Sequence, residues 1–442
     1  MFSGLHLQGL SIIIGGCFAG CIVNQKKLTM MRAALCIWIL SAVICVGRGH
    51  VIVKHQAEQD TAADSRDNTV SLVNAANKEF VFHLYRKLAA HADSQGKNIF
   101  YSPFSVSTAL AALSVGARGE THRQLFSGLG YNNTLLTQEN VNQAFQMLLE
   151  RANETTRDFI SSGTAVFIDN KFKPRPEFLE ALRQSYLADG FSVDFTKTTD
   201  SENTINEYVK EKTNGKIDKL VSNLDPNTVM YLISYIYFKG KWANPFDPQL
   251  TKEDMFNVDV NTQVPVQMMN MEEELHSYYD QGINTTVLHL PFNSSYSMLL
   301  LLPDNMAMLE NEISRGHVTK WLKWMRPRTY NLYVPKFSIK NSYSLNDVLT
   351  GMGMTDMFGD RADLSGILEG QKLAVSEVVH QATLDVDEAG ATAAAATGIG
   401  IMLLSYRHVP VLKFNRPFMV IITEHNTENI LFMGKILNPK ME

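Results

Sequence analysis

Past residue 45 the chain has no cysteine: all four, Cys17, Cys21, Cys36 and Cys45, lie near its start. Disulfides and thiolate metal sites are thereby excluded from the remainder. No apolar run reaches the ~20 residues that a membrane-spanning helix needs. The chain also lacks a Gly-x-Ser-x-Gly elbow, a His-Glu-x-x-His pair and a Gly-x-x-x-x-Gly-Lys loop, which would mark a hydrolase nucleophile, a zinc site or a phosphate cradle. Gly398-Ile-Gly400 has no third glycine and follows an alanine run, so it is no dinucleotide fingerprint. Ser, His and Asp are plentiful, but nothing in the sequence brings three of them together. The chain does not read as an enzyme, and no metal or cofactor is expected. Its formal charge of -5 carries no basic excess, which argues against a nucleic-acid partner.

The start of the chain reads as a leader. Two apolar stretches, Leu7 to Val23 and Ala33 to Val46, are separated by a short polar segment. The second has the form of a secretory signal: Met30, Met31 and Arg32 open it, and small residues close it at Gly47 and Gly49. Residues 1–29 then form an upstream extension, and 30–49 the signal. A signal anchor made of both stretches is the alternative, but no stable membrane insertion is expected. The leader holds four Lys and Arg and no acid, so its removal takes the charge from -5 to -9. Export makes the sequons at Asn132, Asn153, Asn284 and Asn293 usable. A secreted, extracellular glycoprotein follows. Without disulfides it must rest on its core, which a chain with 45% hydrophobic residues can supply.

His50 to Asn68 is polar and mixed in charge, giving a flexible tail over 50–69. Structure is expected from Val70. Helices are expected from Val70 to Ala89, from Ser102 through Leu113, and over Val141 to Arg151, Pro176 to Tyr186 and Thr204 to Thr213. Strands are expected over Thr164 to Ile168, Val229 to Lys239, Thr286 to Leu290, Met298 to Leu302 and Asn331 to Pro335. Phe418 to Thr423 and Ile430 to Lys435 flank a hairpin turn. No linker divides the chain after residue 70, so one α+β domain over 70–442 is expected.

The most informative segment is 388 to 405. After Glu388 it carries no charge and no proline, and it has almost no bulk for ten positions. Gly390, Gly398 and Gly400 loosen the backbone, and the small residues between them can enter a packed sheet without overpacking it. An alanine run ending at Gly398 also suits a helix C-terminus. Upstream, however, Ala382, Leu384 and Val386 alternate along a half-buried strand that runs straight into it. The segment reads as a loop built to insert.

Several motifs then occur in one order: Asn98-Ile-Phe-Tyr-Ser-Pro-Phe-Ser, Thr213-Asn-Gly-Lys-Ile, Tyr237-Phe-Lys-Gly-Lys-Trp242, Ala362-Asp-Leu-Ser-Gly366, the segment from Glu388, Phe414-Asn-Arg-Pro-Phe418 and Leu431-Phe-Met-Gly-Lys435. Through them the chain resembles the serpins from about Val70 to Pro439, and most of all the plasma antitrypsin and antichymotrypsin group. The resemblance implies a single-domain α+β serpin fold of three β-sheets and about nine α-helices. The resemblance also implies that this fold is metastable, with an exposed reactive-centre loop at about 388–410.

It also implies a suicide-substrate inhibitor. A serine protease cuts the loop and forms an acyl-enzyme, and the loop enters the main sheet with the protease attached. The partner is then a serine protease held covalently, and the inhibitor is monomeric. The hinge maps onto Glu388, Gly390, Ala391, Thr392, Ala393, Ala394, Ala395, Ala396 and Thr397. Ala391 stands where Thr or Ser is usual but remains small. Family spacing places the scissile bond sixteen residues after Glu388, at Leu404-Ser405. Leucine suits the apolar pocket of a chymotrypsin-like protease.

Sheet opening in the family is controlled at the shutter and breach, whose residues correspond to Ser102, Ser105, Ser234, Trp242 and His380, with Ser102, Ser105, Ser234 and His380 in the central gating cluster. Ser234 stands where Asn is usual, and its shorter side chain implies a less firmly held gate. Arg315, His317, Lys320, Lys323, Arg326 and Arg328 have no acid among them in sequence. Lys320, Lys323 and Arg326 recur every three positions along an expected helix, a face suited to a heparin-like glycosaminoglycan; a solvated helix face is the alternative. The alternative function is a non-inhibitory carrier of a small hydrophobic hormone.

Overall fold

The computed structural model describes residues 68–156, 160–388, 409–425 and 427–440. The expected extension 1–29, the expected signal 30–49, nearly all of the expected 50–69 tail, and residues 389–408 of the expected loop lie outside the described residues.

Nine α-helices occur among the described residues: α1 (68–90), α2 Pro103–Gly116, α3 Gly119–Gly128, α4 Gln138–Thr156, α5 Pro176–Tyr186, α6 Thr198–Lys212, α7 Met306–Glu312, α8 Arg315–Trp324 and α9 Asn346–Gly351. The described strands are β1 Ile99–Tyr101, β2 Ile160–Asp169, β3 Asp189–Val193, β4 Met230–Phe238, β5 Lys252–Asn257, β6 Gln263–Asp280, β7 Thr285–Pro291, β8 Tyr296–Pro303, β9 Arg326–Pro335, β10 Phe337–Ser344, β11 Glu377–Val386, β12 Val411–Lys413, β13 Phe418–Glu424 and β14 Ile430–Ile436. None of the described helices is long and apolar enough to cross a membrane.

A five-stranded sheet has the order β10-β11-β4-β2-β3. A second ladder of nine strands runs β1-β14-β13-β8-β7-β6-β9-β12, with β5 also on β6. The expected third sheet is contained in that ladder. Strand β6 pairs β9 through Met268 to Ser277 and then pairs β7 through His276 to Asp280. Its 18 residues are therefore shared along their length among β5, β9 and β7.

Local sequence explains the elements that position the expected gate residues. Pro103 occupies the first turn of α2, where its missing N–H is harmless, and the Ser102 hydroxyl accepts the Ser105 N–H at 3.2 Å. Twelve of the fourteen α2 residues are buried, as expected of a helix apolar all round. Strand β4 is buried at every position, the continuous pattern of a strand covered on both faces. One core lies between the two ladders, where Ile236, Phe238, Ala382, Leu384 and Val386 meet Leu288, Leu300, Val420 and Phe432. A smaller cluster fills the other face of the five-stranded sheet, where Ile205 and Val209 of α6, Ile217 and Val221 cover Ile233, Tyr235 and Val379.

Candidate functional site

Strands β11 and β4 lie side by side in the middle of the five-stranded sheet and run parallel, with His380 opposite Ser234. This joint is fastened from behind by α2. His380 Nε2 accepts the Ser102 backbone N–H at 3.0 Å, which places the ring proton on Nδ1. Nδ1 lies 3.0 Å from Ser234 Oγ, and Ser234 Oγ lies 2.7 Å from Ser105 Oγ. All four residues are buried. Burial pushes the His380 pKa down to about 3, against a smaller upward effect of a hydrogen bond at Ser234. The ring is thus neutral wherever the joint is closed. Four of the five expected shutter and breach residues converge here, and Ser234 spans the gap between helix and strand through two short contacts.

Trp242 is not part of that cluster. It lies at the far end of β11, stacked on Phe292 at 4.6 Å, and its Nε1 donates to the Asp387 carbonyl at 2.8 Å. There Glu388 holds the end of the strand. Its carbonyl accepts the Phe246 N–H at 3.0 Å, and its carboxylate meets Thr251 Oγ1 at 3.0 Å and Lys336 Nζ at 2.8 Å. Burial pushes the Glu388 carboxyl up, but the Lys336 contact, a backbone N–H and the Thr251 hydroxyl together hold it below the usual range. Asp387 pairs with Lys239 at 2.8 Å. Gly390 through Thr397, Leu404 and Ser405 lie outside the described residues.

The face of β11 away from the main core carries a signal that the sequence hid. Gln381 and Thr383 alternate with the apolar residues and so read as solvent-facing, yet both are buried. Neither Gln381 side-chain atom nor the Thr383 hydroxyl has a hydrogen-bond partner. The segment after α6 lies over this face: Lys216 sits 5.5 Å from the Tyr237 ring centre, and Asp218 pairs with Lys340 of β10 at 2.7 Å.

The four sequon asparagines, Asn132, Asn153, Asn284 and Asn293, are all exposed. The expected cationic face is corrected in two respects. Helix α8 ends at Trp324, so Arg326 and Arg328 lie on β9 and do not continue a helical stripe. Acids absent from the local sequence also arrive from other elements. Lys320 Nζ lies 2.9 Å from both oxygens of the buried Asp280, and Arg315 pairs with Glu79 at 3.8 Å. His317 contacts Ser314 at 2.9 Å. Lys323 and Arg326 remain exposed on either side of Trp324, at 5.6 and 5.8 Å from its ring centre, and Arg328 lies over Tyr330.

A family model described as serpin (serine protease inhibitor) matches residues 75–439. The alpha-1-antiproteinase of Callosciurus caniceps is 39% identical over 405 residues, covering 91% of this chain and 97% of its own. Serpin A3-5 of Bos taurus is 41% identical over 369 residues, covering 83% and 89%. Among solved structures, human thyroxine-binding globulin complexed with thyroxine aligns at a TM-score of 0.78 and 35% identity, over 84% of this chain and 99% of its own. Human glycosylated kallistatin aligns at 0.76 and 36%, over 84% and 99%.

Proposed function

Because this chain belongs to the serpin family of serine protease inhibitors, we propose that it is a secreted suicide substrate for a chymotrypsin-like serine protease, cut at Leu404-Ser405. The observation that carries this reading is the parallel β11–β4 joint. A chain that turns back at Glu388 runs antiparallel to β11. Since β4 is parallel to β11, the returning chain is antiparallel to β4 as well. One parallel contact is exchanged for two antiparallel ones, which pair slightly better per residue. About fourteen residues after Gly390 span ~45 Å at ~3.3 Å each. Every second one enters the space between the ladders, so Ala391, Ala393 and Ala395 suit the passage and a charge would oppose it. The acyl-enzyme is carried along before water can free it.

Glycans on the four exposed asparagines accord with export. For a polyanion, the proposal narrows to Lys323, Arg326 and Arg328 around Trp324. The carrier alternative draws on the likeness to thyroxine-binding globulin. The cleft of about 440 Å³ beside α8 is lined by Ser297, Thr319, Lys323, Thr423, Glu424, His425 and Glu428, with Leu322 as its aliphatic side chain. Most of the surface these residues present to the cleft is nonetheless apolar, so the lining does not count against a hydrophobic ligand.

Incubation of the purified protein with chymotrypsin, trypsin and elastase, followed by denaturing electrophoresis, tests the proposal. An SDS-resistant complex with chymotrypsin is expected. Complete loop cleavage with full recovery of protease activity refutes inhibition and leaves the carrier reading ahead.

A further inference from the structure

Two aromatic side chains are exposed among the described residues. Trp324 stands between Lys323 and Arg326, and Tyr279, 50% exposed, stands at the tip of the β6–β7 hairpin. A single exposed apolar ring is ordinary in itself; the neighbours of Tyr279 are not. It is directly opposite Thr286 across the antiparallel pair, so both side chains leave the same face. Thr286 is the third residue of the sequon Asn284-Thr285-Thr286. Asn284, in the turn between them, is exposed, and its Oδ1 accepts the Tyr279 hydroxyl at 3.3 Å. Ring, acceptor amide and sequon threonine thus meet at one end of one hairpin.

The turn holds that amide in place. Asn284 has φ +44°, in the left-handed region that asparagine tolerates. Its carbonyl accepts the Asp304 N–H at 2.9 Å, Ile283 before it is buried in the core, and Asp280 Oδ1 accepts the Gly282 N–H at 3.1 Å. Asn284 Nδ2 makes no hydrogen bond among the described residues. The nitrogen that takes a sugar is therefore free, while the oxygen of the same amide is anchored to the phenol end of the ring. The other sequons differ: Asn132 Oδ1 accepts the hydroxyl of its own Thr134 at 2.7 Å, Asn153 lies on α4, and Asn293 follows the buried Phe292.

From this arrangement we infer that Asn284 is a structural glycosylation site, at which the first N-acetylglucosamine lies on the face of Tyr279. The inference rests on the export part of the proposed function. During export Asn284 Nδ2 bonds to C1 of the reducing-end sugar of a lipid-pyrophosphate-linked oligosaccharide. The nitrogen gives up one proton, and the lipid pyrophosphate leaves with the electron pair of the broken C1–O bond. One face of a pyranose presents C–H groups of partial positive charge, and the aromatic face is their negative complement. The contact covers a ring otherwise open to water and ties β6 to β7 at a loop tip, where local opening is easiest.

The test uses the full chain secreted from animal cells that leave glycans in the high-mannose form, so that an endoglycosidase trims each to a single N-acetylglucosamine. Mass spectrometry reads occupancy, and hydrogen exchange reads the peptide spanning residues 278–288. Asn284 should be occupied, and trimming should leave exchange unchanged because the first sugar makes the contact. Thr286→Val abolishes the sequon but keeps a branched strand residue and the asparagine turn; it should speed exchange in this peptide roughly threefold. Tyr279→Ala should have a similar effect, and Thr286→Val added to it should change nothing further. Equal exchange in the wild type and Thr286→Val, or a full effect of Thr286→Val in the Tyr279→Ala background, overturns the assignment. An unmodified Asn284 beside three glycosylated sequons overturns it too, and four unmodified sequons refute export as well. Inhibitory capacity enters none of these readouts.

Discussion

A single hydroxyl decides how the central joint is held. By size alone Ser234 suggests a weak gate, yet it touches Ser105 on one side and His380 on the other. Ser234→Ala would strand both partners in a buried space, at about 1–3 kcal/mol for each unsatisfied group. A lower denaturant midpoint is expected, with faster spontaneous opening measured as loss of inhibitory capacity on warming. The partner ring adds a pH dependence. His380 titrates at about 3 when folded, against an ordinary 6.5, so between those values the unfolded chain binds more protons. Stability from this group is complete above pH 6.5 and declines as the pH falls toward 3. Unfolding measured from pH 7.5 to 4.5 should show this slope, and His380→Gln should flatten it.

At the scale of the element, β11 shows how far pattern reading reaches. Its apolar alternation at Ala382, Leu384 and Val386 correctly marks the face toward the main core. It fails on the opposite face, because Gln381 and Thr383 are covered by a segment more than 150 positions earlier, and no local pattern reports such a roof. Strand β6 escaped for a related reason. Pro265 and the run Glu272 to Glu274 argue against a strand, and its burial becomes sparse from Glu272 onward, where it is still paired with β9. By contrast α5 matched its expected limits, Pro176 to Tyr186, since proline opens it and one face carries the buried residues.

The unpartnered groups of β11 also yield a prediction. Gln381→Met and Thr383→Val keep the volume and remove atoms that burial penalises by about 1–3 kcal/mol each. Melting temperature should rise in both. On the loop side, Ala393→Arg brings a cation to a position that must be buried on insertion. Cleavage should continue while the covalent complex disappears from the gel. Trapping at wild-type stoichiometry would defeat the insertion argument.

For the molecule as a whole, the fold class was legible mainly through ordered motifs such as Asn98 to Ser105 and Phe414 to Phe418. The ladder topology was not, because it depends on strand pairs such as β1 with β14 that are far apart in sequence. The bait bond is likewise a matter of spacing along the whole loop. Leu404→Arg should transfer inhibition to trypsin-like proteases, whose pocket carboxylate pairs with a guanidinium. Mass spectrometry of the wild-type C-terminal fragment should give Ser405 as its first residue. A start at Leu403, Leu404 or Arg407 would move both the bond and the specificity.

The nine-stranded ladder makes that fragment unusual. Everything after the expected cut, 38 residues, includes β12, β13 and β14. Strand β13 lies between β8 and β14, and β14 between β13 and β1. With no cysteine beyond residue 45, nothing covalent ties these strands to the rest once the bond is broken. The cleaved molecule is therefore a two-chain complex held by sheet pairing, core packing and ion pairs such as those of Lys413 with Asp254 and Lys435 with Glu310. On a sizing column it should elute as one species of undiminished mass, and the short chain should leave only in denaturant, without reducing agent.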